Sequence, residues 1–491
     1  MRFNQYTWNL YKNSPEGKAA ISSFSDRKEY ADEELLMEKY NPRLRLKENF
    51  NAKIICDILE DFWCYKVSEY EGIELHTLED AGNIFEEIVS RGLWIESEEI
   101  VKIGDFDRML DYIPFLSMEL NNLFGEYFFP YLYIDRFYEL KKLADYFEID
   151  LPAIPKKSDY KSRCMYYWEL CKVFYHFRIK NSLNPDEFSA FMYDYVPNLL
   201  HTEEKGDIPQ PAQAWFIGGL IRGYGEHWTT GFWQSNPETK KGDILIHYET
   251  SPISAITCLW IAQVDGVIDP FFHYYSNTYI SDKIDIPHIT LKELQADEYF
   301  SKHPLIRKKF QGVNGWSMSS EDYSELLRMI KAKGFDIAPL PRLYAPSLPK
   351  NINIEIERDV EQQLLEPLLN SMGWYENKDF IRQLPIHAGR GHRIFPDYAL
   401  HYENKANEEK AKVLIEAKLH MKNNMEIEEA FLQARSYAHL LESSIIVLCD
   451  KVCLIIYEKK QSFDRDNYKK YYWRELENPD LFNELKNKLN I

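Results

Sequence analysis

Along residues 1–205 apolar and charged positions recur with a helical period, as at 83–89 and 134–147, and predict a helical region. The stretch 165–177 reads MYYWELCKVFYHF. Its period is again helical, and its aromatic side chains suit a helix core better than a partner surface. Pro152 and Pro155 punctuate this region and predict two helical subdomains. Residues 203–211 (EEKGDIPQP) form a break. Beyond it the pattern shortens to β-branched and aromatic runs at 214–217, 243–248 and 255–264, which predict strands. Residues 321–332 read as a closing helix. Residues 338–350 hold Pro339, Pro341, Pro346 and Pro349, which forbid a helix and favour an extended linker. A helix at 355–370 follows, then strand-like runs at 379–386, 393–401 and 411–417. A helix at 425–441 and strands at 444–449 and 452–457 complete an α-β-β-β-α-β-β order, the signature of an α/β domain around a central sheet. The expected architecture is multidomain α+β: a helical region at 1–205, a β-rich domain at 206–337, a linker at 338–352 and an α/β domain at 353–491.

Composition narrows the class. A chain of 491 residues that is 45% apolar and 15% aromatic has material for about three globular domains. No apolar run approaches the roughly 18 residues of a membrane span, and the first residues lack a signal-peptide core, so a cytoplasmic location is expected. The seven cysteines are odd in number and form no C-x-x-C, which points to buried thiols rather than disulfides or a zinc site. Net charge is −19, with the acidic excess concentrated in the first two fifths. Such a chain is not a bulk nucleic-acid binder; contact with a phosphate backbone belongs to local patches in the later part. Walker-type, H-E-x-x-H and G-x-S-x-G motifs are absent.

The sharpest chemical signal is Pro396-Asp397 followed, after 18 intervening residues, by Glu416-Ala417-Lys418. Carboxylates at the ends of adjacent strands can share a divalent cation, and hard oxygen ligands suit Mg²⁺ or Mn²⁺. A lysine two residues after the glutamate lies on the same sheet face, where it can orient an attacking water and offset developing negative charge. Pro-Asp also occurs at 185–186 and 479–480, each with an acid-x-Lys downstream, but only the pair at 396–397 places both carboxylates on predicted strands. Gln433 and Tyr437 share a face of the following helix, and Glu357 and Glu361 share a face of the preceding one.

These residues, together with 365–369 (LEPLL), Gly373-Trp374 and Phe395-Pro396-Asp397-Tyr398, resemble PD-(D/E)XK nucleases. The resemblance spans about 353–457 and is to the N-terminal nuclease domain of type I restriction enzyme cleavage subunits. It implies that Asp397 and Glu416 hold metal with Glu357, which fits the helix acid better than Glu361. It implies that Lys418 assists the water, and that Gln433 and Tyr437 contact DNA or orient the site. The family's subunits continue into a DNA-translocating motor that this sequence does not contain. Arg390 and Arg393, with His387 and His392, occupy the turn before Pro396 and are candidates for the DNA backbone.

Residues of about 213–335 resemble the EVE domain, a PUA-like β-barrel. The likeness rests on Trp215-Phe216-Ile217, Trp233-Gln234-Ser235-Asn236, the run Lys240-Lys241-Gly242-Asp243 leading into 244–248, and Pro304…Phe310…Tyr323. It implies a reader of a modified base flipped into an aromatic pocket. Trp215, Trp233 and Tyr248 offer flat surfaces for stacking, and Ser235 and Asn236 offer edge hydrogen bonds. Arg307 and Lys308 are candidates for the phosphate backbone. The combined expectation is a Mg²⁺-dependent DNA endonuclease in anti-phage defence. It would be a homodimer on DNA, modified or unmodified, with the N-terminal helical region open to a protein partner and no membrane. Other readings are a nuclease acting on RNA, one triggered by a small ligand, a subunit needing a separate motor, and an inert adaptor.

Overall fold

The computed structural model describes residues 3–25, 39, 67, 69–91, 110, 113–203, 208–221, 230–347, 349, 352–387, 393–405 and 408–490. It divides into two compact units. The first comprises Met1–Pro209, Ala214–Met318 and Glu325–Leu340; the second comprises Gln210–Gln213, Ser319–Ser324 and Pro341–Ile491. No described helix is long and apolar enough to cross a membrane.

In the first unit, helices at Gln5–Asn13, Pro15–Ser25, Leu78–Arg91, Ile113–Phe124, Phe137–Tyr146 and Tyr160–Lys180 surround one apolar core. Helix Tyr160–Lys180 buries Tyr166, Tyr167, Trp168, Leu170, Cys171 and Phe174, so the aromatic stretch is core. The expected division at Pro152 and Pro155 is not found. Leu151 and Ile154 pack on the same core as both flanking helices, because this extended segment runs along the core rather than between two.

Helix Pro185–Ala190 continues through a π turn at Phe191–Tyr195 into Val196–Glu203. The π turn lies immediately before Val196-Pro197. Proline has no amide to donate and its ring crowds the carbonyl one turn back, so a widened turn relieves the clash.

That core also takes in Val267 and Phe271 from the β-rich part. Arg163, 0% exposed on helix Tyr160–Lys180, fixes the attachment. Its guanidinium donates to the carbonyls of Pro270 at 2.8 Å, Phe272 at 2.7 Å and Lys157 at 3.0 Å. Phe271 lies 4.6 Å from the Tyr131 ring. A buried guanidinium is tolerated because carbonyls and two facing rings, Tyr160 and Tyr275, satisfy it.

The β-rich part holds β1 (Ala214–Gly219), β2 (Gly231–Gln234), β3 (Ile244–Glu249), β4 (Ala255–Ala262), β5 (Val267–Ile268), β6 (Ser276–Thr290) and β7 (Trp316–Met318). The order is β2-β6-β4-β3-β1-β7, with β5 on β6. All pairs are antiparallel except β1 with β3. The expectation of a barrel is met only halfway: among the described residues β2 and β7 remain edges, leaving a curled half-barrel. Register shifts along β6 let its two ends serve different neighbours. Asp243 of the Lys-x-Gly-Asp element accepts from the Lys240 amide and the Trp215 indole, which explains its place in the motif.

The second unit is an α/β sandwich. Its strands are β8 (Phe380–Arg382), β9 (Ile386–His387), β10 (Arg393–Ile394), β11 (Tyr398–Glu403), β12 (Lys410–Ala417), β13 (Ile445–Cys449), β14 (Cys453–Glu458) and β15 (Lys469–Tyr472). The main sheet runs β15-β14-β13-β12-β11-β8, and β9 with β10 forms a separate ribbon. The expected strands at 379–386 and 393–401 are each split. Gln383 has φ 50° and Pro385 follows it; Pro396 interrupts the second run. The expected order also omitted β15, which joins the sheet beside β14.

β12 and β13 are parallel and are linked across one face by helix Asn424–Leu440. Leu414, Ile446 and Leu448 face that helix, whereas Val413, Ile415 and Val447 face the opposite layer. That layer comprises Glu357–Val360, a π turn at Glu361–Leu365, Glu366–Ser371 and the terminal helix Pro479–Leu489. The second π turn again precedes a proline by two positions, here Pro367.

Candidate active site

The register of β11 on β12 pairs Tyr398 with Ile415. Continued by one residue, it sets Asp397, which precedes β11, opposite Glu416 near the end of β12. The Asp397 Oδ2 accepts from the Ala417 amide at 2.8 Å, which fixes the aspartate to the neighbouring strand. Period-two alternation then points Glu416 toward helix Asn424–Leu440. There Gln433 Nε2 donates to Glu416 Oε2 at 3.3 Å and lies 3.4 Å from the Tyr437 hydroxyl. Lys418 follows on the same face, its Nζ 3.7 Å from Glu416 Oε2. The site sits at the carboxyl ends of the parallel pair, and four of the expected residues converge there: Asp397, Glu416, Lys418 and Gln433, with Tyr437 one helical turn on.

Glu416 is 1% exposed, and its Oε1 has no hydrogen-bond partner. Burial, with the Asp397 charge added, pushes its carboxyl up to about 8, against the pull of Lys418. Burial also raises Asp397, opposed by the Ala417 amide, Lys418 and Arg382, and reinforced by Glu357. The two carboxyls thus hinder each other's ionisation, the condition a bound cation relieves. Among the described residues no group of three or more His, Cys, Asp or Glu is placed to cage a metal. Two carboxylates fit Mg²⁺, which binds through one or two and keeps its remaining positions for water and phosphate. The orphaned Glu416 oxygen fits that demand.

The helix acids divide. Glu357 is exposed and acts on Asp397 by charge. Glu361 is half-buried, raised by burial and by Asp397, and tied down by Arg382 at 3.3 Å and the Tyr398 hydroxyl at 3.3 Å. Arg382 also reaches Glu366 at 3.4 Å. Arg382 and Tyr398 were not among the expected site residues. They lie opposite each other in the β8–β11 register, which local sequence does not reveal.

Arg393 is exposed on the β9–β10 ribbon, paired with His387, which contacts Glu409 at 2.6 Å. Arg390 lies outside the described residues.

Of the expected base-binding residues, Trp215, Trp233, Ser235 and Tyr248 are buried. Trp215 and Trp233 share a core with Trp260. The Trp233 indole donates to the Gly218 carbonyl at 3.2 Å, and its ring lies 5.0 Å from His247. His247 is sealed, and burial holds its imidazole down at about 4, so it is neutral. Tyr248 stacks on Phe310 at 3.8 Å and 7°. Ser235 is sealed, whereas Asn236 is half-buried and donates to the Gly315 carbonyl at 3.1 Å. Arg307 and Lys308 are exposed beside Lys309.

No family profile matches the chain. No curated protein matches it either. Among solved structures, a Rhodopseudomonas palustris protein determined by NMR is 12% identical over 24% of this chain and 94% of its own, with a TM-score of 0.22. A hypothetical protein from Leishmania major is 13% identical over 25% and 97%, with a TM-score of 0.21. An ASCH protein variant from Zymomonas mobilis is 11% identical over 25% and 99%, with a TM-score of 0.18.

Proposed function

We propose that the chain is a metal-dependent DNA endonuclease whose β-rich part reads a nucleobase, so that cleavage is directed to modified foreign DNA. The observation that carries the reading is the sealed Glu416 carboxyl, with one oxygen unpartnered, set beside Asp397 and flanked by Lys418 and Gln433. Asp397, Glu416 and Glu357 or Glu361 would hold Mg²⁺ or Mn²⁺. Bound there, the metal supplies a polarised phosphate oxygen and a water of lowered pKa.

The chain's own groups do the remainder. Lys418 carries a positive charge to the face where the attacking water and the developing phosphorane charge meet. Gln433 holds Glu416 Oε2, while Oε1, which has no hydrogen-bond partner, would be the oxygen offered to a cation. Arg382 holds Glu361 in place beside Asp397. Base reading is assigned to the end of β2, where Trp233 precedes the half-open Asn236. Cutting both strands of a duplex takes two such sites, hence a homodimer.

The test is incubation with Mg²⁺ of matched unmodified, cytosine-modified and adenine-modified DNAs, with Asp397→Ala and EDTA controls. Cutting of one modified DNA, lost in both controls, is the expected result. Equal cutting of all DNAs removes the modification dependence, and cutting that survives Asp397→Ala removes the site.

A further inference from the structure

The aromatics expected to stack a base are mostly sealed, yet one tryptophan of the half-barrel is open. Trp316, on edge strand β7, is 37% exposed. It stands opposite Phe216 of β1, on the same sheet face. Its ring meets His303 at 6.4 Å, and His303 in turn meets Phe216 at 6.0 Å. His303 caps the turn Pro304–Arg307, which leads directly to Lys308 and Lys309.

That turn is held in a demanding shape. Lys309 and Phe310 have φ of 53° and 58°, a left-handed conformation uncommon outside glycine and asparagine. Phe310 is anchored by its stack on Tyr248 and its edge contact with Phe216 at 5.5 Å. The result presents Arg307, Lys308 and Lys309 to solvent, with Lys302 also exposed. None of these four makes an ion pair with a described residue, whereas Lys240, Lys283, Arg328 and Lys333 of the same unit are all paired. Trp316 also adjoins the half-open end of β2. The Gly315 carbonyl accepts from Asn236, and Gly315 packs so closely that a Cβ there would sit 2.1 Å from the Asn236 amide nitrogen.

We propose that Trp316 and the Arg307–Lys309 turn form a binding surface for single-stranded DNA. One unpaired base stacks on the indole while the cations meet its flanking phosphates. An exposed indole beside unpaired cations matches a base and its phosphate, and the surface opens beside the residue assigned to base reading. The choice of DNA rests on that reading; the stacking-and-phosphate chemistry does not.

The test is fluorescence anisotropy of the full chain with a labelled twelve-nucleotide oligo(dT), in EDTA so that no cleavage is involved. Trp316→Ala is expected to weaken binding about tenfold or more, and Trp316→Phe to retain most of it. The double variant Arg307→Gln/Lys308→Gln is expected to weaken binding and to flatten the log–log salt slope by about 1.4, at roughly 0.7 per single-strand phosphate contact. No binding by the wild type, unchanged binding by Trp316→Ala, or tighter binding of a duplex or of oligo(U) overturns the proposal. A Trp316 effect without any preference for modified DNA supports this surface and removes base reading alone.

Discussion

Glu416 concentrates the chemistry of the second unit in one carboxyl. Its group titrates near 4.5 in an unfolded chain and at about 8 in the folded one. Between those values the folded state binds the extra proton. Stability from this group is therefore full below pH 4.5 and is lost as pH rises to about 8. Glu416→Gln carries no proton to lose. In EDTA it is expected to melt a few degrees above wild type at pH 8.5, with no such gain at pH 4, and with Mg²⁺ present its cleavage is expected to fall to background. Thermal melts at both pH values check the sign. Asp397, Glu416, Lys418 and Gln433 were legible in the sequence because they stand in the order and spacing of a known motif, Pro-Asp then Glu-x-Lys then Gln-x-x-x-Tyr, although the meeting of Asp397 and Glu416 is itself set by register. Arg382 and Tyr398 were not, because strand register decides that they meet. The burial of Trp215 and Tyr248 was equally invisible, since an aromatic in a strand reads the same whether it faces a ligand or a core.

At the scale of elements, the two π turns have a common cause in Pro197 and Pro367. The second bears on the site, because Glu361 opens the π segment and contacts Arg382 and Tyr398. Replacing Pro367 by alanine permits a regular α-turn. Absorbing the extra residue would rotate the first part of the helix by about 100° relative to the rest. Pro367→Ala is expected to lower cleavage at least tenfold and to lower the melting temperature by several degrees, because the rotation takes Val360 out of the core. A variant as active as wild type would show that the turn does not position Glu361. Helix and strand positions in the second unit followed from hydropathy, apart from the splits at Gln383-Leu384-Pro385 and Pro396 and the omission of β15. A left-handed residue and a missing amide donor break strands that hydropathy alone continues.

At the scale of the molecule, the helical region and the half-barrel share a core, and Arg163 bonds across them, as does the Tyr275 hydroxyl to the Pro155 carbonyl. Arg163→Met leaves the carbonyls of Pro270, Phe272 and Lys157 without their donor, the first bond buried and the other two part-buried, at about 1–3 kcal/mol for a fully buried unsatisfied group and less for the others. A loss of about 3 kcal/mol or more in urea unfolding is expected, with faster amide exchange in the 269–275 loop. A loss below about 1 kcal/mol would show that the shared apolar core suffices. Sequence patterning separated these parts at 203–211 because composition changes there. It gave no sign that Phe271, far along the chain, completes the helical core.

The central claim is that Asp397 and Glu416 form a cation site. Calorimetric titration of the metal-free chain with Mn²⁺, at pH 6.5 and 8.0, tests it most directly. Binding must release the Glu416 proton, so affinity is expected to rise about tenfold between these pH values and to disappear in Glu416→Gln. Absence of binding, or binding indifferent to both pH and Glu416→Gln, would contradict the account.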